Sequence, residues 1–381
     1  MAGGDRGIYF LRKHSSLCLA LALTICAFPG VVWAQPAPEY RGALRDTVET
    51  LARYGRSRHP DFIVLVRGGL DLFQKSRREA LLEDPDGARR QPVGGLQLSY
   101  VRAVNGLVLD DTACGAALER EREAREMTER LKVTKPAANA LFAEIEANRQ
   151  KAEQAKLAAA LNAETNLLDR LKTEGVRLLA IEHCRTPEEA AMARRKTAGR
   201  EMLATILVDP SRRLDLIDSA RASHENADPV LSLGAARTFM VVLDSRRFNR
   251  QEMFVEAFGL TNHDLLIIDG FHGKKDSLTF DEIRRAQFKR VGTRRLVLAR
   301  LNLTLAEAER FYWNPAWRIG QPEWLAAPLP EQAGAVRVRY WHPAWKGVLG
   351  VYMQGLVDLG VDGVMLEGLE AFQHFEDPSP P

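Results

Sequence analysis

The chain has 381 residues, of which 46% are hydrophobic and 27% are charged. This is the composition of a folded globular protein, so disorder and collagen-like repetition are excluded. Lys and Arg total 53 against 50 for Asp and Glu, and the formal charge of +3 lacks the basic excess typical of nucleic-acid-binding proteins. Four cysteines are too few for a disulfide scaffold.

Residues 1–34 have the pattern of a secretory signal peptide. Basic residues, among them Arg12 and Lys13, precede an apolar run from Leu17 to Phe28, and Val32-Trp33-Ala34 then provides a cleavage motif. The run is short of the roughly 20 apolar residues that span a bilayer, although an uncleaved anchor remains the alternative. Cleavage after Ala34 predicts a secreted or periplasmic protein without stable membrane insertion.

Eight short runs rich in Val, Ile and Leu follow the leader, and helix-like sequence separates them. They are Phe62–Val66, Gly106–Leu109, Val176–Ile181, Leu203–Val208, Phe239–Leu243, Leu265–Ile268, Leu296–Leu301 and Gly363–Leu366. Apolar runs that alternate with helices are typical of parallel strands covered on both faces. The pattern predicts a single (β/α)8 TIM-barrel domain over residues 35–377, with a tail at 378–381. An open doubly wound sheet is the alternative, because periodicity does not show closure.

Two segments outside this repeat are predicted to be helical. Residues 44–54 have apolar side chains at helical spacing, and the eighth run lacks a full helix after it. We therefore expect this leading helix to cover the junction between the first and eighth strands, which requires neighbouring chain ends. Residues 116–174, rich in Ala, Glu, Lys, Arg and Leu, predict a helical excursion after the second strand. A solvated spacer is favoured there over a partner-binding helix pair.

Polar residues follow most of the predicted strands. They are Arg67, Asp110, Asp111, Glu182, His183, Asp244, Asp269 and Glu367. Catalytic groups of such barrels stand at the carboxyl ends of the strands, and two carboxyl groups across a pocket are what glycoside hydrolysis requires. Neither zinc-ligand spacing nor a phosphate-binding glycine loop is present, so we expect no metal or organic cofactor. His183 is expected to form hydrogen bonds rather than to bind a metal.

Aromatic residues are concentrated in the connection between the seventh and eighth strands. They are Tyr312, Trp313, Trp317, Trp324, Tyr340, Trp341 and Trp345. Flat aromatic faces suit sugar rings, so we expect some of them to provide a stacking surface at the mouth of the barrel. Packing of this long connection onto the barrel is the alternative.

Several blocks of the sequence resemble glycoside hydrolase family 114, the endo-α-1,4-polygalactosaminidases and their extracellular bacterial relatives. Val338-Arg-Tyr-Trp-His-Pro-Ala-Trp345 and Asp362-Gly-Val-Met-Leu-Glu-Gly368 occur in the family's order. Gly106-Leu-Val-Leu-Asp-Asp111 and Leu178-Leu-Ala-Ile-Glu-His-Cys184 resemble strands that come later in the family. The resemblance therefore implies a circularly permuted barrel.

The resemblance also implies the residues that act. Glu367 and Asp110 occupy the two catalytic positions, where the family usually has Asp and Glu, respectively. Asp269 and Glu182 are expected to orient substrate, and Glu307 and Arg310 to brace a loop as an ion pair. The remaining substrate-binding candidates are Trp313, Tyr340, Trp341 and Asp362. Arg67-Gly68-Gly69 departs from the family's Gln-Asn-Gly.

The sequence thus predicts a secreted, monomeric glycoside hydrolase, endo-acting on a polysaccharide that contains α-1,4-linked galactosamine. The alternative is a catalytically impaired barrel that binds glycan or serves as a scaffold. The assignment of acid and nucleophile, and of retention or inversion, stays open. Cys114 and Cys184 follow adjacent strands, so we expect them to lie within disulfide distance, with Cα atoms under about 7 Å apart.

Overall fold

The computed structural model describes residues 39–83, 94–115, 140–209, 211–217 and 225–376. Eight strands form its main sheet, β1 Ile63–Arg67, β2 Gly106–Asp110, β3 Arg177–Cys184, β4 Leu203–Val208, β5 Phe239–Val242, β6 Leu265–Ile268, β7 Leu296–Asn302 and β8 Gly363–Glu367. The α-helices of the described ranges are α1 Tyr40–Arg58, α2 Arg77–Glu83, α3 Leu98–Ala103, α4 Ala140–Thr173, α5 Pro187–Gly199, α6 Gln251–Gly259, α7 Phe280–Ala286, α8 Pro343–Asp358 and α9 Ala371–Glu376. The expected signal peptide, the first part of the helical excursion and the tail lie outside the described residues.

The eight strands are all parallel and follow the order β4-β3-β2-β1-β8-β7-β6-β5. Strands β4 and β5, at the two ends of this order, lie beside each other without a ladder of their own. The loop after β4 bridges them, because the backbone N–H of Leu243 donates to the carbonyl oxygen of Leu214 at 2.8 Å. The fold is therefore a mixed α/β, nearly closed parallel barrel of the TIM-like kind.

The near closure of the barrel is evident from the packing inside the sheet. One buried cluster receives a side chain from every strand, among them Leu65, Val108, Leu179, Leu203, Val241, Ile267, Leu298 and Met365. Neighbours in sequence such as Val66, Ala180 and Leu366 face the helices instead, as the two-residue period of a strand requires. In a flat sheet, β4 and β5 would be separated by seven strand spacings, roughly 30 Å. The shared cluster excludes that arrangement.

The leading helix occupies the layer outside β1 and β8. Helix α1 packs against α3, α8 and α9, and Leu44, Val48 and Leu51 form its buried face. Near the two ends of the described chain, Arg41 pairs with Glu376 at 3.1 Å. The expectation of neighbouring ends agrees with this packing. The junction without a hydrogen-bonded ladder, however, lies between β4 and β5, because β1 and β8 pair directly.

Among the side chains of the long helix α4 that the structure describes, those of the last turns pack on the barrel. Leu168 and Leu171 are buried, whereas Leu157 and Leu161 are exposed. This distribution agrees with a solvated spacer in the described part of the excursion. None of the helices in the described ranges is both long enough and apolar enough to span a bilayer.

A disulfide joins the loop after β2 to the end of β3. The sulfur atoms of Cys114 and Cys184 are bonded, and their Cα atoms are 5.2 Å apart. The pairing is the one expected from adjacent strands. It links residues that are 70 positions apart in sequence and closes a loop that contains all of α4.

The pairing of β1 with β8 predicts an intolerance to side chains at Gly363. A Cβ atom there would overlap the backbone carbonyl of Ile63. We expect Gly363→Ala to lower the free energy of unfolding by about 2 kcal/mol or more, because the two backbones would have to separate. Gly347→Ala in α8 is the matched control, since a Cβ atom there meets no other atom within 4 Å.

Urea titrations of both variants check this expectation. The control should gain roughly 0.5–1 kcal/mol from the lower conformational entropy of alanine in the unfolded chain. Equal stability of Gly363→Ala and the wild type would contradict the close approach of β1 and β8.

Candidate functional site

The inward-facing positions of the strands continue into a ring of polar side chains at the carboxyl end of the barrel. Each residue of the ring follows, two positions later in its strand or just after it, a buried side chain that points into the barrel. The ring consists of Arg67, Asp110, His183, Asp209, Asp269, Arg300 and Glu367. In the TIM-like barrel, this end is where active sites are found. We call this ring the mouth.

Arg67 joins the two predicted catalytic carboxylates. Its Nε and Nη2 atoms donate to Asp110 at 2.8 and 2.9 Å, and its Nη1 atom donates to Glu367 at 2.7 Å. The three residues come from β2, β1 and β8, which are consecutive in the sheet. Hydrogen bonds of this length to one guanidinium keep the two carboxyl groups within roughly 9 Å of each other, the span that paired-carboxylate glycosidases use.

A second arginine, Arg300, continues this series of ion pairs from Glu367 toward the side of the mouth formed by β6 and β7. Arg300 donates from Nε to the other oxygen of Glu367 at 2.5 Å, and its Nη1 atom lies 3.3 Å from Glu307. Arg310 holds Asp269 with two hydrogen bonds, of 2.8 and 2.5 Å, and reaches Glu307 at 2.9 Å. The expected Glu307–Arg310 brace is thus present as part of a larger network.

The network is balanced in charge and largely buried. Lys274 contacts Glu307 at 2.9 Å, so four cations face the four carboxylates Asp110, Asp269, Glu307 and Glu367, and Lys274 also reaches the exposed Glu309 at 3.4 Å. Of those four carboxylates Asp110 is the most exposed, with 34% of the side chain accessible against 10% for Glu367. Of the two candidates, Asp110 is therefore the one more open to a ligand.

The network keeps Glu367 and Glu307 ionised. Burial acts to raise the pKa of Glu367, but the charges and hydrogen bonds of Arg300 and Arg67 outweigh it and hold the pKa below its ordinary value. For Glu307, burial is likewise outweighed by Arg300, Arg310 and Lys274, and the pKa lies well below the usual range. Glu367 therefore carries a negative charge at neutral pH.

A second cluster lies on the β2 to β4 side of the mouth. Asp111 accepts the backbone N–H of His183 at 2.9 Å, lies 3.4 Å from its Nδ1 atom, and pairs with Arg212 at 2.5 Å. Asp111, Arg212 and Leu214 have φ values of 50°, 56° and 53°, a left-handed conformation that non-glycine residues adopt at an energetic cost. Such strained positions often occur at functional sites.

Glu182 does not belong to the mouth. It neighbours the inward-facing Ile181 and His183 in β3, so its side chain points to the outer face, where it is fully buried. Its two oxygens accept the backbone N–H groups of Thr112, Ala113 and Cys114 at 2.9–3.0 Å. Glu182 thus holds the disulfide-bearing turn after β2 and has no free oxygen for substrate.

Asp362 lies at the opposite end of the barrel. It immediately precedes β8, whereas Glu367 is the last residue of that strand. Its carboxylate accepts the backbone N–H of Val297 at 2.8 Å and pairs with Arg294 at 2.5 Å. The substrate-binding role expected for Asp362 does not fit this position, and the residue instead fixes the start of β8 against β7.

Most of the aromatic residues pack the connection between β7 and β8, which also holds an antiparallel sheet of Leu305–Glu307, Leu325–Pro328 and Ala335–Val338. Tyr340 is fully buried and donates to the carbonyl oxygen of Tyr40 at 2.9 Å. Trp341 packs on Tyr40 and Tyr340. These contacts leave Tyr340 no accessible face for a sugar, whereas Trp313 and Trp317 are partly exposed and meet edge to face.

The sequence-based prediction gave no role to two arginines of the mouth. Arg67 was named among the polar residues that follow the strands and as a departure from the family, and Arg300 was not named, since it lies within an apolar run. A signal was nevertheless present, because Arg300 is two positions beyond Leu298 and shares its inward direction. Within the described ranges, no group of three His, Cys, Asp or Glu side chains is arranged to hold a metal ion.

We expect removal of the Arg310 cation from its pair with Asp269 to destabilise the fold strongly. Both side chains are only 2% exposed, so Arg310→Met leaves a buried carboxylate without its main partner. We expect a loss of about 3 kcal/mol or more in the free energy of unfolding. Arg246→Gln is the control, because that arginine is 70% exposed and its pair with Asp244 should contribute at most about 1 kcal/mol. Equal losses in the two urea titrations would contradict the buried network.

The depressed pKa values of Glu307 and Glu367 also predict acid sensitivity. A carboxyl whose pKa is lower in the folded than in the unfolded state stabilises the fold above its ordinary pKa, near 4.3, and this stabilisation is lost as the pH falls further. We expect the stability difference between the wild type and Glu307→Gln to narrow between pH 5 and pH 3. A difference that is constant across this window in urea titrations would contradict the ionised state of Glu307.

Comparison with known proteins finds relatives over a limited part of the chain. No protein-family model matches it. An uncharacterized protein of Methanocaldococcus jannaschii is 27% identical over 34% of this chain and 37% of its own length. Uncharacterized proteins of Deinococcus radiodurans and Thermotoga maritima are 29% and 33% identical, over 35% and 24% of their own lengths. The chain thus aligns with about a third or less of these relatives, to which it is similar in sequence.

Proposed function

We propose that this protein hydrolyses a glycan at the mouth of the barrel, with Glu367 and Asp110 as the paired carboxylates. The observation that carries the proposal is their convergence on the guanidinium of Arg67, from strands β8 and β2, at the end of the barrel where active sites occur. Paired carboxyl groups at such a separation are the machinery of glycoside hydrolysis.

We assign the roles of the two groups from their environments. Glu367 contacts two arginines and stays ionised, which suits a nucleophile or a base that activates water. Asp110 contacts one arginine and is more exposed, so we assign it the acid role. The glycosidic C–O bond breaks, and the leaving oxygen takes the proton of Asp110. Water supplies the hydroxyl group to the anomeric carbon, and its remaining proton passes to Glu367 in an inverting reaction or to Asp110 in a retaining one. Arg67 has to shift before Asp110 can be protonated.

The substrate class follows from the resemblance to glycoside hydrolase family 114. It implies a polysaccharide with α-1,4-linked galactosamine, and the signal-peptide pattern of residues 1–34 adds a secreted enzyme whose leader is removed after Ala34. The permuted strand order belongs to the same proposal. The neighbouring ends of the described residues, at Arg41 and Glu376, support it, because a barrel with adjacent ends can be reconnected without disturbing its core.

A second candidate function is glycan binding without turnover. Its specific support is the set of ion pairs in which both carboxylates are held. Protonating Asp110 would weaken its contact with Arg67, which is an obstacle that an active acid normally lacks. A barrel held in this state would bind oligosaccharides at the mouth and leave them intact.

Reducing-end release from α-1,4-galactosamine oligomers tests the two functions. We expect the mature protein to release reducing ends, and Glu367→Gln and Asp110→Asn each to lower the rate at least about a hundredfold. Asp244→Asn is the matched control, because Asp244 also follows a strand at this end but pairs with the exposed Arg246. Its rate should stay close to that of the wild type.

The remaining outcomes separate the alternatives. Binding of the oligomers by calorimetry without any release would favour the scaffold function. Release that persists in both Glu367→Gln and Asp110→Asn would show that the catalytic pair is elsewhere.

A further inference from the structure

Four arginines border the mouth on the side of β4 and β5, and we call them the arginine rim. They are Arg212, Arg213, Arg246 and Arg247, and their side chains are between 51% and 70% exposed. Each contacts a carboxylate, but these partners, Asp111, Asp215 and Asp244, are only 3% to 14% exposed. A ligand that approaches this side therefore meets guanidinium groups, although the formal charges nearly balance.

The rim is a single surface because its two loops are joined. Arg212 and Arg213 follow β4, and Arg246 and Arg247 follow β5. The backbone N–H groups of Leu243 and Asp244 donate to the carbonyl oxygen of Leu214, and Arg247 crosses to Asp215 at 2.8 Å. Arg212 connects the rim to Asp111, the residue after Asp110. The rim thus borders the proposed catalytic pair on the β2 side.

The floor beneath the rim has unused hydrogen-bonding capacity. His183 is 5% exposed, and its buried Nε2 atom forms no hydrogen bond, whereas its Nδ1 atom lies 3.4 Å from Asp111. The Oδ1 atom of Asp215 is also buried without a hydrogen-bond partner. Buried polar atoms in native proteins are normally paired, and those that are not commonly acquire partners from water or a ligand. This second observation, independent of the exposed charge, points to a ligand at the rim.

We propose that the arginine rim binds the carboxylates of an acidic glycan. Guanidinium groups form short, bidentate hydrogen bonds with carboxylates, and the four exposed arginines offer such donors to the acidic sugars of a glycan. The proposal rests on the proposed function, which identifies the ligand as a glycan, and it adds that this glycan carries acidic sugars. Sugars with amino groups occupy the catalytic pair, and uronic acid residues of the same polymer lie over β4 and β5.

Binding of defined oligomers tests this proposal without requiring turnover. Oligogalacturonate is the acidic probe, galactose oligomers of equal length are the neutral probe, and calorimetry at low ionic strength gives the affinities. The test variant is Arg213→Gln with Arg246→Gln. It leaves the Arg212–Asp111 and Arg247–Asp215 pairs intact, so no fully buried carboxylate loses its main partner.

The matched control is Arg237→Gln with Arg149→Gln. These arginines are also exposed and ion-paired, but Arg237 precedes β5 at the opposite end of the barrel and Arg149 lies on α4. We expect the test variant to bind oligogalacturonate about tenfold more weakly and the control to bind it like the wild type. Affinity for the neutral probe should be the same in all three proteins.

The variant His183→Leu tests the floor of the rim separately from its charge, because the substitution leaves all four arginines in place. Loss of its ring nitrogens should weaken binding of acidic and neutral oligomers alike, with the melting temperature reporting whether the variant is folded. Unchanged affinity of the test variant for oligogalacturonate would overturn the proposal. Equal affinity of the wild type for single-stranded DNA of the same charge would also overturn it, because the rim would then be a general polyanion surface. Failure to release reducing ends from any glycan would count against the hydrolase function and leave these affinities interpretable.

Discussion

In a nearly closed parallel barrel, every second side chain of every strand points into the same narrow space. Apolar residues fill that space up to the layer of Leu65, Val108 and Met365, and all but one of the next inward positions are polar, the exception being Leu243. Seven of them are charged or carry an imidazole. Because they converge, each charge needs a partner from another strand, and Arg67 and Arg300 provide it by bridging carboxylates on both sides. The architecture of the mouth follows from this requirement.

The same constraint explains which parts of the protein were predictable. The strands are marked by long apolar runs, and their positions follow from burial alone. The Cys114–Cys184 pair follows from adjacent strands. The direction of individual side chains was harder to predict, because a polar residue at a strand end lies in the mouth only if its side chain points into the barrel. The side chain of Glu182 points outward and holds a turn, although its neighbour His183 faces inward.

Asp362 and Tyr340 illustrate two further limits. Asp362 belongs to a motif that resembles the family, but it precedes its strand and lies at the far end of the barrel. Tyr340 belongs to an aromatic-rich block, and whether such a ring stacks on sugar or on protein depends on distant partners, here Tyr40 and Phe375. Arg300 was hidden because a single cation inside an apolar run does not alter its hydrophobic pattern. Sequence reasoning located the elements well and the contacts between them less well.

The ion pairs of the mouth set a condition that the proposed hydrolysis has to meet. Two carboxylates that are both paired with arginine are stable but inactive, because one of them must gain a proton before a glycosidic bond can break. A glycan that contacts Arg67 would loosen its hold on Asp110, and uronic acid carboxylates at the arginine rim would bring the polymer to that place. The exposed position of Asp110, compared with Glu367, makes it the group that such a ligand can reach.

The most direct measurement is a crystal structure of the protein with a bound oligosaccharide that contains both amino sugars and uronic acids. We expect a sugar ring at the mouth within hydrogen-bonding distance of Asp110 and Glu367, with Arg67 displaced from at least one of them and a uronic acid carboxylate on the arginine rim. An oligosaccharide bound elsewhere, with both carboxylates still held by Arg67, would contradict it.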